Sequence, residues 1–207
     1  MRPLFLAALL AAGSTAPTPS PEARPAPPRP GLTWEAADAL DRRLKAIESA
    51  YKARRPIPTP SVVVRQAELN SWVNLTLAPQ LPPGVSDLDL LLEKDRVTAK
   101  AIVDLDKLPV KQAAGASAWN PINYLSGRVA VELRGRLTTP EVGFGSFEAE
   151  EVRLATFPIP PSVVAQAVAR STKSAQHPEG FDILAPFRLP YAAKRVRLQL
   201  GKALLEF

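Results

Sequence analysis

The chain has 207 residues and a formal net charge of +6, with 46% hydrophobic but only 6% aromatic residues. That length suits one domain with a tail, and its core must be built mainly from Leu, Val and Ala. Cysteine is absent, which excludes disulfides, lipid-modified cysteines and thiolate metal sites. The 26 basic residues are spread along the chain without a dense run, so no nucleic-acid partner is expected.

Met1-Arg2 is a short basic start, Leu4 to Ala12 is an unbroken apolar run, and Gly13-Ser14-Thr15-Ala16 are small. This order predicts a secretory signal peptide over 1–13. The apolar run is far shorter than the roughly 20 residues of a membrane-spanning helix. Residues 14–32 include "APTPSPEARPAPPRPG", a Pro/Ala-rich segment that favours extended polyproline conformations and predicts a disordered linker. The expected location is periplasmic or extracellular, soluble after cleavage of the leader. A single folded domain is expected over 33–207.

That domain opens with a predicted helix over 33–55. Trp34, Ala37, Leu40, Leu44, Ile47 and Tyr51 share one face at helical spacing. Thr33 suits the N-cap, and Pro56 stops the helix. "SVVVR" from Ser61 reads as a strand. "QAELNSWVNLTL" reads as a helix with Leu69, Trp72, Val73 and Leu77 on one side.

A hairpin follows. Leu88, Leu90 and Leu92 alternate with charged residues, turn through Glu93 to Arg96, and meet Val97, Ala99, Ala101, Val103 and Leu105. Residues 107–126 break the period and predict a long connection of functional or mobile character. In the second hairpin, Val129, Val131, Leu133 and Leu137 face one side, and Phe147, Ala149, Val152 and Leu154 return. The inward set changes parity between Glu150 and Glu151, as a β-bulge would require. Arg134 and Arg136 are placed to meet Glu148 or Glu150 across the strands.

"FPIPPSVVAQAVA" from Phe157 ends sheet pairing with its prolines and starts a helix at Pro161. Val163, Val164, Ala167 and Val168 are its expected apolar face. The chain closes with a last hairpin, in which Val196, Leu198 and Leu200 alternate with Arg195, Arg197 and Gln199 before Gly201-Lys202 turns. The fold class predicted is α+β: a curved antiparallel sheet of about five to seven strands packed against two or three helices.

Catalytic and metal signatures are lacking. His177 is the sole histidine and sits in a polar loop; no G-x-S-x-G elbow, phosphate loop or dinucleotide fingerprint occurs. The i,i+2 acid pairs Asp87/Asp89 and Glu148/Glu150 read as solvated strand faces. Asn74-Leu75-Thr76 matches a glycosylation sequon but lies in a segment expected to be buried. No enzyme, cofactor or metal is expected.

The order of strand, "AELN" helix (Ala67–Asn70), two hairpins, "PIP" (Pro158–Pro160) and terminal hairpin resembles small exported bacterial envelope proteins related to tubular lipid-binding (TULIP-like) domains. The resemblance spans about Ser61 to Phe207. It implies a curved sheet wrapped on helices around an apolar groove. The function expected is therefore noncatalytic binding of a lipid or another apolar ligand in the envelope, with a membrane surface or an envelope protein as further partner. The expected ligand wall comprises Leu69, Trp72, Val73, Leu133, Leu154, Val163, Val164, Ala167 and Val168. The alternative is a structural or assembly partner that docks through a sheet edge or the 107–126 loop.

Overall fold

A computed structural model describes residues 27, 29–107, 126–171, 179–180 and 182–207, without the side chains of residues 167, 170 and 171. The predicted leader, most of the linker, most of the 107–126 connection and His177 lie outside the described residues.

The architecture is α+β. Helix α1 (Trp34–Lys52) comes first, followed by β1 (Ser61–Arg65) and α2 (Gln66–Ser71). The hairpin strands β2 (Val85–Leu92) and β3 (Arg96–Asp104) lead to the long pair β4 (Arg128–Glu141) and β5 (Phe144–Leu154). Then come β6 (Phe157–Pro158), α3 (Pro161–Ser171), β7 (Phe187–Arg188) and the terminal hairpin β8 (Arg195–Gln199) and β9 (Lys202–Glu206). Strands β2-β3-β4-β5-β6 form one antiparallel sheet, to which β7 adds by pairing with β5. β1 joins the terminal hairpin in a second sheet ordered β1-β9-β8.

Local sequence explains most boundaries. The Thr33 hydroxyl accepts a hydrogen bond from the Ala36 amide and caps α1. Ala37, Leu40, Leu44 and Ile47 are buried along its inner face. α2 starts at a capping box, in which the Arg65 amide donates to Glu68 Oε2 at 2.9 Å. The helix expected to continue to Leu77 changes its winding: Trp72–Thr76 is a π-turn, closed by the Leu77 amide on the Trp72 carbonyl.

That π-turn has a consequence for β2. An α-helix overruns a full turn by about 40° in four residues, and the wider π-winding offsets this drift. Gln66, Asn70 and Asn74, spaced by four, thereby all reach one strand edge. The Leu92 amide donates to Gln66 Oε1 at 2.8 Å. Asn70 accepts from the Leu90 amide at 2.8 Å and donates to the Leu90 carbonyl at 3.1 Å. Asn74 Nδ2 donates to the Leu88 carbonyl at 2.7 Å. These side chains satisfy alternate backbone groups of β2, as a neighbouring strand would. The same use of Asn74 ties up the amide nitrogen of the sequon.

The main core lies between α1, the α2/π segment, the inner face of the small sheet and one end of the large sheet. The sheets are joined by hydrogen bonds at their corner. The Asp95 amide donates to the Leu198 carbonyl, and the Leu137 amide to the Asp95 carbonyl. Thr139 Oγ1 accepts from the Val196 amide at 3.1 Å and donates to its carbonyl at 3.2 Å.

The bulge falls at the predicted place. Arg134 pairs with Glu151 while Gly135 pairs with Ala149, leaving Glu150 as the extra residue. Arg136 meets Glu150 at 3.4 Å, and Arg96 meets it at 3.0 Å; Arg134 instead pairs with Glu93 at 3.9 Å.

Three local expectations need correction. Sheet pairing does not end at Phe157: Ala155 takes φ 54°, the chain reverses, and Phe157–Pro158 pairs back on Arg153 and Leu154. The buried positions of α3 include Ala165 as well as Val168, because the helix packs on Ile183 and Phe187 as well as the sheet. Leu200 lies in the β8–β9 turn and is 81% exposed, since Gln199 pairs with Lys202 and leaves only Leu200-Gly201 between the strands.

Two predictions follow from the α2 region. Asn70→Ala leaves both backbone groups of buried Leu90 unpaired on that edge, and should cost about 3 kcal/mol in urea unfolding with an unchanged m-value. A loss within the ordinary surface range of about 0.5 kcal/mol would remove Asn70 from this role. The second concerns Glu68. Burial opposes its ionisation, but the Arg65 amide and the Arg43 and Arg65 guanidiniums outweigh it and hold its pKa below the usual glutamate value. Its contribution to stability is therefore present above that value and is lost as pH falls through the folded pKa. Glu68→Gln should flatten that acid limb of the stability curve.

Candidate functional site

The large sheet turns an apolar face towards α3. The helix carries Val164, Ala165 and Val168 down onto a small cluster with Ile183 and Phe187, separate from the main core. Between this lid and the sheet lies a cavity of about 200 Å³. β2 and β3 contribute Val85, Leu88, Leu90, Val97, Ala99, Ala101 and Val103. β4 and β5 add Val131, Leu133, Leu137 and Phe147, while Val164, Val168, Ile183 and Phe187 form the roof.

Two glycines shape its walls. A Cβ on Gly135 would stand 2.3 Å from Cζ of Phe147, and one on Gly145 would stand 2.8 Å from the Phe187 ring. Each ring therefore rests against bare backbone, an approach that only glycine permits. Opposite them, Ala99 and Ala101 project little beyond the sheet, and both are only half-buried. Short side chains in the middle of an inward strand face leave the space unfilled.

The wall offers a ligand apolar surface. Among the described lining residues the one charged side chain belongs to Lys100, whose ammonium lies 3.7 Å from Glu132. Apart from Lys100, the described lining residues carry no side-chain hydrogen-bonding group that could hold a polar headgroup or a reacting atom. Among the described residues, the two side chains with shifted titration lie elsewhere. Glu68 belongs to the α1–α2 contact. Tyr191 stacks edge-on against Tyr51 with ring centres 6.1 Å apart, and burial, aided by the charge of Glu48, raises its phenol well above the ordinary range. Among the described residues no group of three His, Cys, Asp or Glu side chains could hold a metal ion.

The residues expected to form the ligand wall are divided by the fold. Leu133, Val164 and Val168 line the cavity together. Leu69, Trp72 and Val73 are at most 3% exposed and belong to the main core, where Trp72 Nε1 donates to Asp41 at 3.2 Å. Leu154 is buried at the end of β5, and Val163 is half-buried on α3; neither lines the cavity. The Ala167 side chain lies outside the description. The β2–β3 hairpin supplies most of the wall that sequence reasoning omitted. Its signal was available in the alternation of β3, with two alanines at the centre of the inward set.

Comparison with protein-family models, with curated proteins and with solved structures returns no match for this chain.

Adding a methyl group at Gly135 tests the wall geometry. Gly135→Ala should force the Phe147 ring off the sheet and destabilise the protein by about 1–3 kcal/mol in urea unfolding. The double variant Gly135→Ala/Phe147→Leu should recover part of that loss; a double variant no better than additive would show that the ring is not the obstacle.

Proposed function

We propose that this is an exported, noncatalytic envelope protein that holds a small apolar ligand, or the apolar end of a lipid, between its large sheet and α3. The cavity is the observation that carries this reading. An apolar cavity of about 150 Å³ takes up benzene or xenon, whereas drug-sized ligands fill roughly 300–1,000 Å³. A single ring or a short alkyl segment suits about 200 Å³; a whole two-chain lipid does not. With such a lining, selectivity would come from shape and length, and any polar head would have to remain outside.

Export rests on the order of residues 1–13, a basic start, an apolar run and small residues. Among the described residues no helix is long and apolar enough to cross a membrane. The resemblance to tubular lipid-binding domains supports the same reading through the arrangement of a curved sheet over helices. The alternative of an assembly partner docking through a sheet edge is less favoured at β2, whose outer edge is already occupied by Gln66, Asn70 and Asn74.

Native mass spectrometry and organic extraction of the protein purified from a bacterial envelope should release an apolar compound. Added benzene or short alkanes should raise the unfolding temperature of the stripped protein. Ala101→Leu fills the space, so it should raise the intrinsic stability by about 0.5–2 kcal/mol and abolish the ligand-dependent shift. A protein that yields no compound and shows no shift with either probe would sink the proposal.

A further inference from the structure

The outer face of the small sheet is a second surface, independent of the cavity. Its register places Arg65, Lys202 and Gln199 in one row across the strands, Val63, Leu204 and Arg197 in the next, and Ser61, Glu206 and Arg195 in the third. These side chains alternate with the buried residues Val62, Val64, Ala203, Leu205, Val196 and Leu198, so all nine point away from the core.

Four cations thus share a patch three strands wide with one carboxylate. Glu206 is engaged by Arg197 at 2.7 Å, and Arg65 lies 3.8 Å from Glu68. Arg195 and Lys202 have no carboxylate partner among the described residues. The outer face of the large sheet contrasts with this one: there Arg96, Lys100, Arg128, Arg134, Arg136 and Arg153 all have acidic partners. Of these two outer faces, the small sheet is therefore the one that carries cations without a carboxylate partner among the described residues, Arg195 and Lys202.

Apolar groups accompany the charge. Val63 is 42% exposed within the grid, and Leu200, at the tip of the β8–β9 turn next to Gly201 and Lys202, is 81% exposed. A bare leucine at a turn tip beside cations suits an interface that is anionic at its surface and apolar just beneath. An acidic protein surface would match the cations but offer the projecting leucine no apolar layer. We propose that this face docks the protein on an anionic lipid bilayer, with Arg65, Arg195, Arg197 and Lys202 against the headgroups and Leu200 entering the acyl boundary.

Co-sedimentation of the full chain with vesicles tests the assignment. Binding is expected to vesicles of equal parts phosphatidylglycerol and phosphatidylcholine, to be weak to phosphatidylcholine alone, and to fall with added salt. Arg195→Glu/Lys202→Glu should lower the partition by about 30-fold or more, and Leu200→Ser by several-fold. Arg128→Glu/Arg153→Glu, an equal charge change on the large sheet, should lower it much less. All these positions are solvent-facing, and circular dichroism should show the variants folded. No binding to the anionic vesicles, or equal losses for the two double variants, would overturn the proposal. So would soluble polyglutamate that competes fully while Leu200→Ser has no effect, since that result would assign the face to an acidic protein. Because none of these residues lines the cavity, a failed vesicle experiment leaves the ligand reading standing, and the reverse also holds.

Discussion

The arrangement of this protein depends on one substitution of parts: a helix stands where a strand would otherwise be needed. β2 ends the large sheet, and its outward backbone groups belong to Leu88, Leu90 and Leu92, whose side chains are buried. Left unpaired beside the core, each would carry a desolvation cost of about 1–3 kcal/mol. Gln66, Asn70 and Asn74 remove that cost while Leu69, Trp72 and Val73 on the same segment pack towards α1. A single short segment thus closes the sheet edge and builds the main core. The spacing is what makes it possible: four residues of helix rise about 6 Å and two residues of strand about 6.6 Å. The π-turn at Trp72–Thr76 keeps the third amide in line.

This arrangement explains which parts of the fold were legible in the sequence. Strand alternation reports burial directly, so both long hairpins, their inward faces and even the extra residue at Glu150 could be read from parity. The Thr33 cap was equally local. The role of the amides was not. Glutamine and asparagine at i, i+4 and i+8 look like the wet side of an amphipathic helix, and only the tertiary position of β2 turns that side into a bonding surface. The division into two sheets was hidden for a related reason. β1 and β9 are both short, and their pairing joins Ser61 to Glu206 across nearly the whole domain, a contact no local pattern announces. The α3 face was read without Ala165 because its burial depends on Ile183 and Phe187, which come from outside the helix.

The candidate wall was half-legible on the same grounds. Leu69, Trp72 and Val73 were correctly apolar and inward, yet "inward" did not distinguish a dry core from a ligand wall. Volume makes that distinction. In the main core, which holds Trp72, Leu92 and Leu198 at no more than 2% exposure, the side chains are large enough to fill the space. Where Ala99 and Ala101 face Val164 and Val168, they are not. An aromatic content of 6% leaves few rings to close such a gap, and the two that border it, Phe147 and Phe187, are held against Gly135 and Gly145 at its walls.

An unfilled space of this size has an energetic meaning. A space of about 200 Å³ leaves its apolar lining without packing partners on one side, so the dispersion contacts that a filled core would make are forgone. One or two larger side chains at Ala99 or Ala101 would recover many of them, and the β3 backbone already presents both positions inward. The glycines point the same way. Phe147 and Phe187 could reach farther into the space if Gly135 and Gly145 did not let their rings lie back on the sheet. Four small residues on three adjacent strands each act to keep the space open, and the lid helix over it ends its reach in valines. An occupant of that space would restore the contacts that the short side chains leave unmade, which is the packing argument for the proposed apolar ligand.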